Sequence, residues 1–430
     1  MRSMSFRSLF DLYRLRRNLR SKHLDLEKAQ RRDLRSIVQY AYENVAFYHR
    51  KLDSANVKPN DIKSQEDMRK IPIITKPELQ KTRIDDLVAR NVNMQNCTSQ
   101  KTSGSTGLPL TLLFDQRTIA FERALWLRAY FEDGLKIRDK MAQIMDPSFF
   151  QKRRYWYQSL GFLRRYYLSI SDPPEKQIAS LQKIRPDVIQ SYPSSLAILA
   201  EEYRHDCAYD IQPRLLFTLS ELLDRRTREL VNLTFKTELF DFYGCVELGP
   251  IAWECKGRIG YHVNSDSLLL ETVVDGEPIV SGKRGDIVCT SLIRREMPLI
   301  RYKIGDIGEM SDEQCTCGVS LPLLKIVEGR EDDFLISQDG RLIPPTVFFP
   351  YPFENFSGIK QFRVIQESRE KLTIQLVAEK DFGQNPQIFE KATKEIRRLF
   401  GENMIVDFQI LESIPRDPSK KLRKIISRAR

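Results

Sequence analysis

No run of about 18 apolar residues occurs anywhere in the chain, so no membrane-crossing helix is expected. The opening residues Met1-Arg2-Ser3-Met4-Ser5-Phe6-Arg7 lack the apolar core and small-residue cleavage site of a secretory signal. A cytoplasmic protein is the expectation. Internal repeats and low-complexity segments are also absent, which argues against a solenoid or a linker. The seven cysteines make an odd number, so a complete disulfide framework does not account for them and a reducing compartment fits. The net charge of +11 is dispersed rather than gathered into one recognition surface, and no nucleic-acid partner is expected.

What is present is length and alternation. At 430 residues, 41% hydrophobic and 30% charged, the chain has room for a large core and more than one domain. Residues 24–55 read as a helix, with Leu34, Ile37, Val38, Ala41 and Val45 near a 3.6-residue period. From about 160 to 300, helices alternate with apolar strands at 188–192, 215–219 and 237–242. That alternation predicts an α/β fold with a parallel sheet flanked by helices. Strands follow at 268–273, 278–280, 286–291 and 299–303. A boundary is expected near Gly329-Arg330-Glu331-Asp332-Asp333, with a small α+β domain after it. The domains predicted are thus 1–330 and 331–430.

The densest basic clusters lie at the two ends. Near the start, Phe6, Leu9, Phe10, Tyr13 and Leu15 mix with arginines at roughly helical spacing. Two readings stand: a peripheral contact with an anionic membrane surface, or a solvated helix docked on the protein.

Thr102-Ser103-Gly104-Ser105-Thr106-Gly107-Leu108-Pro109 is the segment richest in chemistry. Glycines admit close approach, and hydroxyls with backbone N–H groups converge readily on a polyphosphate. It is no Walker loop, because no Gly-Lys-Ser/Thr follows. Four other polar clusters fall beside strands: Tyr243-Gly244-Cys245-Val246-Glu247, Arg301-Tyr302-Lys303-Ile304-Gly305-Asp306, the Gly329–Asp333 junction, and Pro415-Arg416-Asp417-Pro418-Ser419-Lys420-Lys421. Each alone is also an ordinary turn or a solvated tail.

In this order and spacing the clusters resemble those of the adenylate-forming enzymes, over nearly the whole chain. Ala41-Tyr42-Glu43-Asn44-Val45-Ala46-Phe47-Tyr48 and Ile71-Pro72-Ile73-Ile74-Thr75-Lys76 are similar to the phenylacetate–coenzyme A ligase branch, with its capsular-polysaccharide-associated relatives. The resemblance implies a large ATP- and acyl-binding domain with a mobile C-terminal lid. It implies an AMP-forming ligase that activates a small carboxylic acid with ATP and Mg²⁺ and passes it to coenzyme A. Ser103, Gly104, Ser105, Thr106 and Gly107 would then wrap the β- and γ-phosphates. Tyr243 and Gly244 would line the adenine and acyl pockets, Glu247 would bind Mg²⁺, and Asp306 would hold the ribose hydroxyls. Arg330 would reach ribose or phosphate, Asp332 would be the hinge, and Lys421 would sit between carboxylate and α-phosphate. Aromatic and acidic residues such as Trp126, Tyr192, Glu221 and Tyr243 would supply the acyl pocket. A homodimer is compatible with the sequence. Two positions depart from the family: Val246 stands where Thr or Ser usually donates to the α-phosphate, and Lys420 where Gly precedes the catalytic lysine.

Cys255, His262, Cys315 and Cys317 form a further group. Three thiolates and an imidazole suit a closed structural zinc site, although the single-residue spacer of the second pair is tight. The other reading is buried free cysteines. The resembled branch often carries a Cys/His zinc site in this region, which favours zinc. Two further functional readings remain beside the coenzyme A ligase: acyl transfer to an amine or hydroxyl in polysaccharide assembly, and a non-catalytic nucleotide-binding protein.

Overall fold

The computed structural model describes residues 6–101, 110–150, 155–205, 210–330, 335–343, 359–378, 386–416 and 422–429. The chain divides into two compact units, residues 1–136 with 240–327 and residues 137–239 with 328–430. This differs from the expected division at 330: a break does fall at 327/328, but the first 327 residues are themselves shared between the units.

In the first unit, the helix His23–Asn44 turns Leu34, Ile37, Val38 and Ala41 inward, all fully buried. The single helix expected over 24–55 is two, because Val45 is extended (φ −121°, ψ 113°) and a second helix begins at Ala46. A β-branched residue loses side-chain freedom in a helix and suits such a break. The helix Gln116–Glu132 is capped by the Asp115 carboxylate, which accepts from the Thr118 amide. Arg128 on that helix is wholly buried. It donates to Asp266 (2.6 Å), Asn264 and the Leu15 carbonyl (3.3 Å), tying the N-terminal helix Phe6–Asn18 to the body. That N-terminal helix docks through Leu15 and leaves Leu9, Phe10 and Tyr13 exposed. Arg16 and Arg20 both pair with Glu132.

Strands of this unit run antiparallel where Leu268–Val274 meets Arg284–Ser291, and where the latter meets Tyr302–Ser311. Gly249–Glu254 likewise pairs antiparallel with Leu239–Cys245 on one side and Tyr261–Val263 on the other. The strand expected at 299–303 is displaced to Tyr302–Ser311. Leu299 and Ile300 are buried but lie before it, and Arg301 takes φ +49°, which breaks the extended run. The Arg301–Asp306 motif therefore opens a strand instead of closing one.

The second unit contains the expected parallel sheet. Its order is Leu215–Leu219, Val188–Ser191, Lys140–Met145, Arg164–Ser169. Helices Pro174–Ile184, Pro193–His205 and Arg225–Phe235 alternate with the strands. The two strands at 140–145 and 164–169 were not expected. One carries a buried glutamine (Gln143, bonded to Gln190) inside a short apolar run, and the other is a half-buried edge. The C-terminal part forms a separate four-stranded sheet ordered Ile405–Ile410, Lys371–Ala378, Ile359–Ser368, Ile425–Ser427. The helix Pro386–Phe400 turns Ala392, Ile396 and Phe400 inward at four-residue spacing. No helix among the described residues is long and apolar enough to cross a membrane.

Candidate active site and metal centre

The expected phosphate loop Ser103–Gly107, the hinge Asp332 and the tail lysines Lys420 and Lys421 lie outside the described residues. Arg330 ends the strand Leu323–Arg330, but its side chain is likewise outside them. The flanks of the loop are described: Thr98–Lys101 and Thr111–Phe114 pair antiparallel, with Lys101 opposite Thr111.

Tyr243 and Asp306 are brought together. The Tyr243 hydroxyl donates to Asp306 Oδ2 at 2.6 Å. Both lie at irregularities in their strands. Between the pairs Asp286–Ile307 and Val288–Lys303, three residues (Ile304, Gly305, Asp306) stand opposite Ile287 alone, and Gly305 takes φ +94°. Between Tyr243–Ala252 and Gly244–Pro250, Ile251 is the extra residue. Bulges bend a strand and re-aim its side chains, and here Asp306, inside one bulge, meets Tyr243, which flanks the other. A Cβ on Gly244 would lie 2.4 Å from the Gly249 carbonyl oxygen, so the turn from Cys245 to Gly249 closes only over glycine. Burial, with Asp306 beside it, pushes the Tyr243 hydroxyl well above its usual pKa, so it remains a donor.

That turn carries Glu247. Its Oε1 lies 3.3 Å from Lys76 Nζ and 3.3 Å from the Tyr302 hydroxyl. Lys76 is placed by a short parallel bridge of Ile74 to Tyr302, in which the Ile74 amide donates to the Arg301 carbonyl and the Ile74 carbonyl accepts from the Lys303 amide, both at 2.9 Å. Arg301 is nearly fully buried. It pairs with Glu271 at 3.2 Å and donates to the Ile71 carbonyl at 2.8 Å, so it fixes the same segment. Sequence reading used Ile71–Lys76 only as a family marker and missed the lysine as a partner of Glu247.

Arg294 was missed altogether. It donates to the Glu247 carbonyl and to the Leu113 carbonyl (2.8 Å), and its guanidinium lies 4.2 Å from the Phe114 ring centre. It thus joins the strand after the Ser/Gly loop to the Glu247 turn. Glu296, at 3.6 Å, balances its charge and accepts from Thr118 at 3.0 Å. Glu122 stands beside this group with Oε1 unpartnered among the described residues. Burial pushes its carboxyl up to about 7, with Arg294 opposing and Glu296 reinforcing the shift. A buried arginine has few sequence signals; its fork of donors is recognised only once the carbonyls it serves are in place.

Cys255, His262, Cys315 and Cys317 come together, with all four ligand atoms within 4.8 Å of one another. Cys255 Sγ lies 3.4 Å from Cys315 Sγ, and His262 Nε2 lies 3.2 Å from Cys317 Sγ. Bonds of about 2.3 Å to a tetrahedral zinc ion imply sulfur–sulfur edges near ~3.8 Å, so the cluster has the right size. The surroundings fit a metal too. The Gly257 amide donates to Cys255 Sγ (3.3 Å) and the Val319 amide to Cys317 Sγ (3.5 Å). His262 Nδ1 faces the Leu321 carbonyl at 3.4 Å, which orients Nε2 toward the thiols. Burial lowers His262 to about 4, leaving a neutral imidazole, and raises the Cys255 thiol, which favours a cation to offset its deprotonation. A Cβ on Gly257 would lie 2.6 Å from Cys315 Sγ, so this cradle also requires glycine.

The second unit holds the neighbours of the tail. Glu221, expected in an acyl pocket, accepts from the Ser194 amide and the Leu422 amide, both at 3.0 Å. Lys424 pairs with Asp224 at 2.5 Å, and Arg416 reaches Ser194 Oγ at 3.3 Å. Both flanks of Lys421 are therefore fastened to the loops beside the parallel strands. Trp126 instead packs on Phe242 (ring centres 5.0 Å apart) in the first unit.

Residues 335–428 match the CapK C-terminal domain family. The chain is 29% identical over 331 residues to a phenylacetate–coenzyme A ligase of Thermus thermophilus, covering 75% of this chain and 74% of the relative. It is 21% identical over 432 residues to the protein CapK of Staphylococcus aureus, covering 94% of this chain and 89% of the relative. Among solved structures, a 2-hydroxyisobutyryl-CoA ligase in its postadenylation state, bound to R3-HIB-AMP, superposes with a TM-score of 0.77. The match covers 96% of this chain and 91% of that one at 20% identity, a likeness of fold.

Proposed function

We propose that this chain is a member of the adenylate-forming superfamily, in its phenylacetate–coenzyme A ligase-like branch, and that it activates a carboxylic acid with ATP and passes the acyl group to coenzyme A. In the first step a carboxylate oxygen bonds to the α-phosphorus of ATP. The bond to the bridging oxygen breaks, and pyrophosphate leaves. In the second, the coenzyme A sulfur bonds to the acyl carbon and AMP departs. The meeting of Tyr243, Asp306 and the Glu247 turn through two strand bulges is the observation that carries this reading beyond fold likeness.

The residues divide the work as follows. Asp306, oriented by Tyr243, accepts from the ribose hydroxyls. Glu247 would hold Mg²⁺, as a single carboxylate with phosphate oxygens can, and the bound ion would supply charge neutralisation at the phosphates. Lys76 offsets the Glu247 charge, and Arg294 holds the turn against the strand that follows Ser103–Gly107. Lys421 contributes its ammonium at the α-phosphate, where charge develops during attack. Arg330 serves the nucleotide, and Asp332 is the hinge of a mobile C-terminal domain. Cys255, His262, Cys315 and Cys317 would hold zinc in a structural site with no part in the chemistry.

ATP–pyrophosphate exchange with a panel of carboxylic acids tests the first step, and mass spectrometry of the product formed with coenzyme A tests the second. Exchange with no acid, in protein that binds ATP, would defeat the ligase reading. A second reading is favoured by the CapK match over residues 335–428. In it the adenylate forms as above, but an amine or hydroxyl of a polysaccharide precursor takes the acyl group. An amide or ester product in place of a thioester would select it.

A further inference from the structure

The stretch from Pro147 to Leu168 contains eight aromatic residues, five lysines and arginines, and no acidic residue. None of the roles above uses it. In the structure its short helices Pro147–Phe149 and Trp156–Ser159 pack against Arg164–Ser169, the edge strand of the second unit's parallel sheet. Three large apolar side chains in it face water, Phe149 (56% exposed), Trp156 (62%) and Leu160 (63%), and Ile137 (54%), whose carbonyl accepts from the Leu163 amide, adds a fourth beside them. Scattered exposed apolar residues need no explanation; several gathered on one short segment do.

The described residues of the segment are tied down by hydrogen bonds and ring contacts. The Tyr155 amide donates to Gln158 Oε1 (2.8 Å), Gln158 Nε2 to the Leu163 carbonyl (3.2 Å), and the Leu163 amide to the Ile137 carbonyl (2.7 Å). Arg164 donates to the Arg138 carbonyl at 2.9 Å. Tyr155 and Tyr157 stack on each other at 5.3 Å, and Phe150 lies 5.2 Å from Tyr167.

We propose that this aromatic and basic surface docks on an anionic lipid bilayer. Charge complementarity selects the occupant: Arg164 and Arg165 on the described edge strand, with no acidic residue anywhere in the stretch, suit an anionic surface, at about 1 kcal/mol per basic residue near the headgroups. Interleaved aromatic and aliphatic tips suit the boundary between headgroups and acyl chains. Single-stranded nucleic acid also pairs with aromatics and cations, but it needs open ring faces on which bases stack. Here tyrosine faces are spent on one another, and what projects includes Leu160 and Ile137, which offer no such face. The inference does not depend on the proposed ligase activity.

The test uses the full chain and vesicles of phosphatidylglycerol or phosphatidylcholine. Wild-type protein should sediment with the former and release as salt rises. Trp156 is one of three tryptophans, and Trp253 is buried, so a blue shift of emission on phosphatidylglycerol reports insertion directly. Trp156→Ser/Leu160→Ser should weaken binding about tenfold or more and abolish the shift. Arg164→Glu/Arg165→Glu should weaken it comparably at low salt. ATP–pyrophosphate exchange, whatever its wild-type level, and elution volume should be unchanged in both. Four results overturn the proposal: no binding to phosphatidylglycerol; binding lost only in Phe10→Ser/Tyr13→Ser of the N-terminal helix; displacement of the vesicles by a single-stranded oligonucleotide; or a wild-type oligomer that Trp156→Ser/Leu160→Ser dissociates.

Discussion

Arg294 serves two carbonyls with one fork of donors, and a lysine cannot. Arg294→Lys should keep the charge beside Glu296 but release either Leu113 or the Glu247 turn. The expected outcome is a higher KM for ATP–Mg²⁺ and pyrophosphate exchange reduced by about tenfold to a hundredfold, the scale for misplacing one stabilising group. Val246 offers a change in the other direction. A hydroxyl restored by Val246→Thr should speed exchange by up to about tenfold, for one hydrogen bond of roughly 1–1.5 kcal/mol; no change at all would favour a protein that only binds nucleotide. Asp133, at the C-terminal end of the helix Gln116–Glu132, shows the cost of a buried acid. Neither carboxyl oxygen has a partner among the described residues, and burial, reinforced by Glu254 and Glu132, raises the group to about 9. The folded state therefore binds a proton that the unfolded state releases near the usual aspartate value. Stability from this group is complete below about pH 4 and falls as pH rises toward 9. Asp133→Asn should lose that slope, so its melting temperature should rise relative to wild type between pH 5 and pH 8; parallel curves would mean that Asp133 has a partner in solution.

At the level of elements, the Cys/His cluster was legible because its chemistry is carried by residue type, whereas its support was not. Nothing in the sequence marks Gly257 as the position where a methyl group would strike Cys315. Nor does anything mark Ser320, whose amide and hydroxyl bond the Leu19 carbonyl at 2.8 and 3.1 Å and tie the cysteine loop to the N-terminal segment. We expect close to one zinc per chain by elemental analysis. Cys317→Ser should lose the metal and lower the melting temperature, since binding energy at a structural site is folding energy. Gly257→Ala should weaken zinc retention against a chelator while leaving all four ligands intact. Metal-free protein with an unchanged melting temperature would exclude the site. The strand bulges illustrate the same limit. In the sequence Gly305 and Asp306 are also compatible with an ordinary turn at a strand end. Only the pairing of Tyr302–Ser311 with its neighbour shows that they interrupt a continuing strand.

Over the whole molecule, alternation of helices with buried strands such as Val188–Ser191 and Leu215–Leu219 made the parallel sheet legible, since a strand covered on both faces reads as an apolar run. The strands at 140–145 and 164–169 escaped because a buried glutamine and an arginine–tyrosine edge do not read that way. The grouping of residues 137–239 with 328–430 was likewise invisible, because it rests on contacts more than a hundred residues apart. Among them are three that flank Lys421: Leu422 to Glu221, Arg416 to Ser194 and Lys424 to Asp224. Asp224 also caps the helix Arg225–Phe235 through the Thr227 amide at 2.8 Å. Burial alone would raise its pKa, but Lys424 and Thr227 outweigh burial and hold it below the usual aspartate range. This attachment is present above about pH 4 and is lost as acid protonates Asp224. If the lid reading holds, a tail seated this way serves adenylate formation and must be released for transfer to the thiol. Lys424→Gln removes the ion pair and keeps the length. It should slow pyrophosphate exchange about tenfold or more, through Lys421 held less often in place, yet leave transfer from preformed acyl adenylate to coenzyme A within about twofold. Equal loss in both half-reactions would mean that Lys424 only holds the fold together; transfer slowed more than exchange would reverse the assignment of this arrangement to the first step.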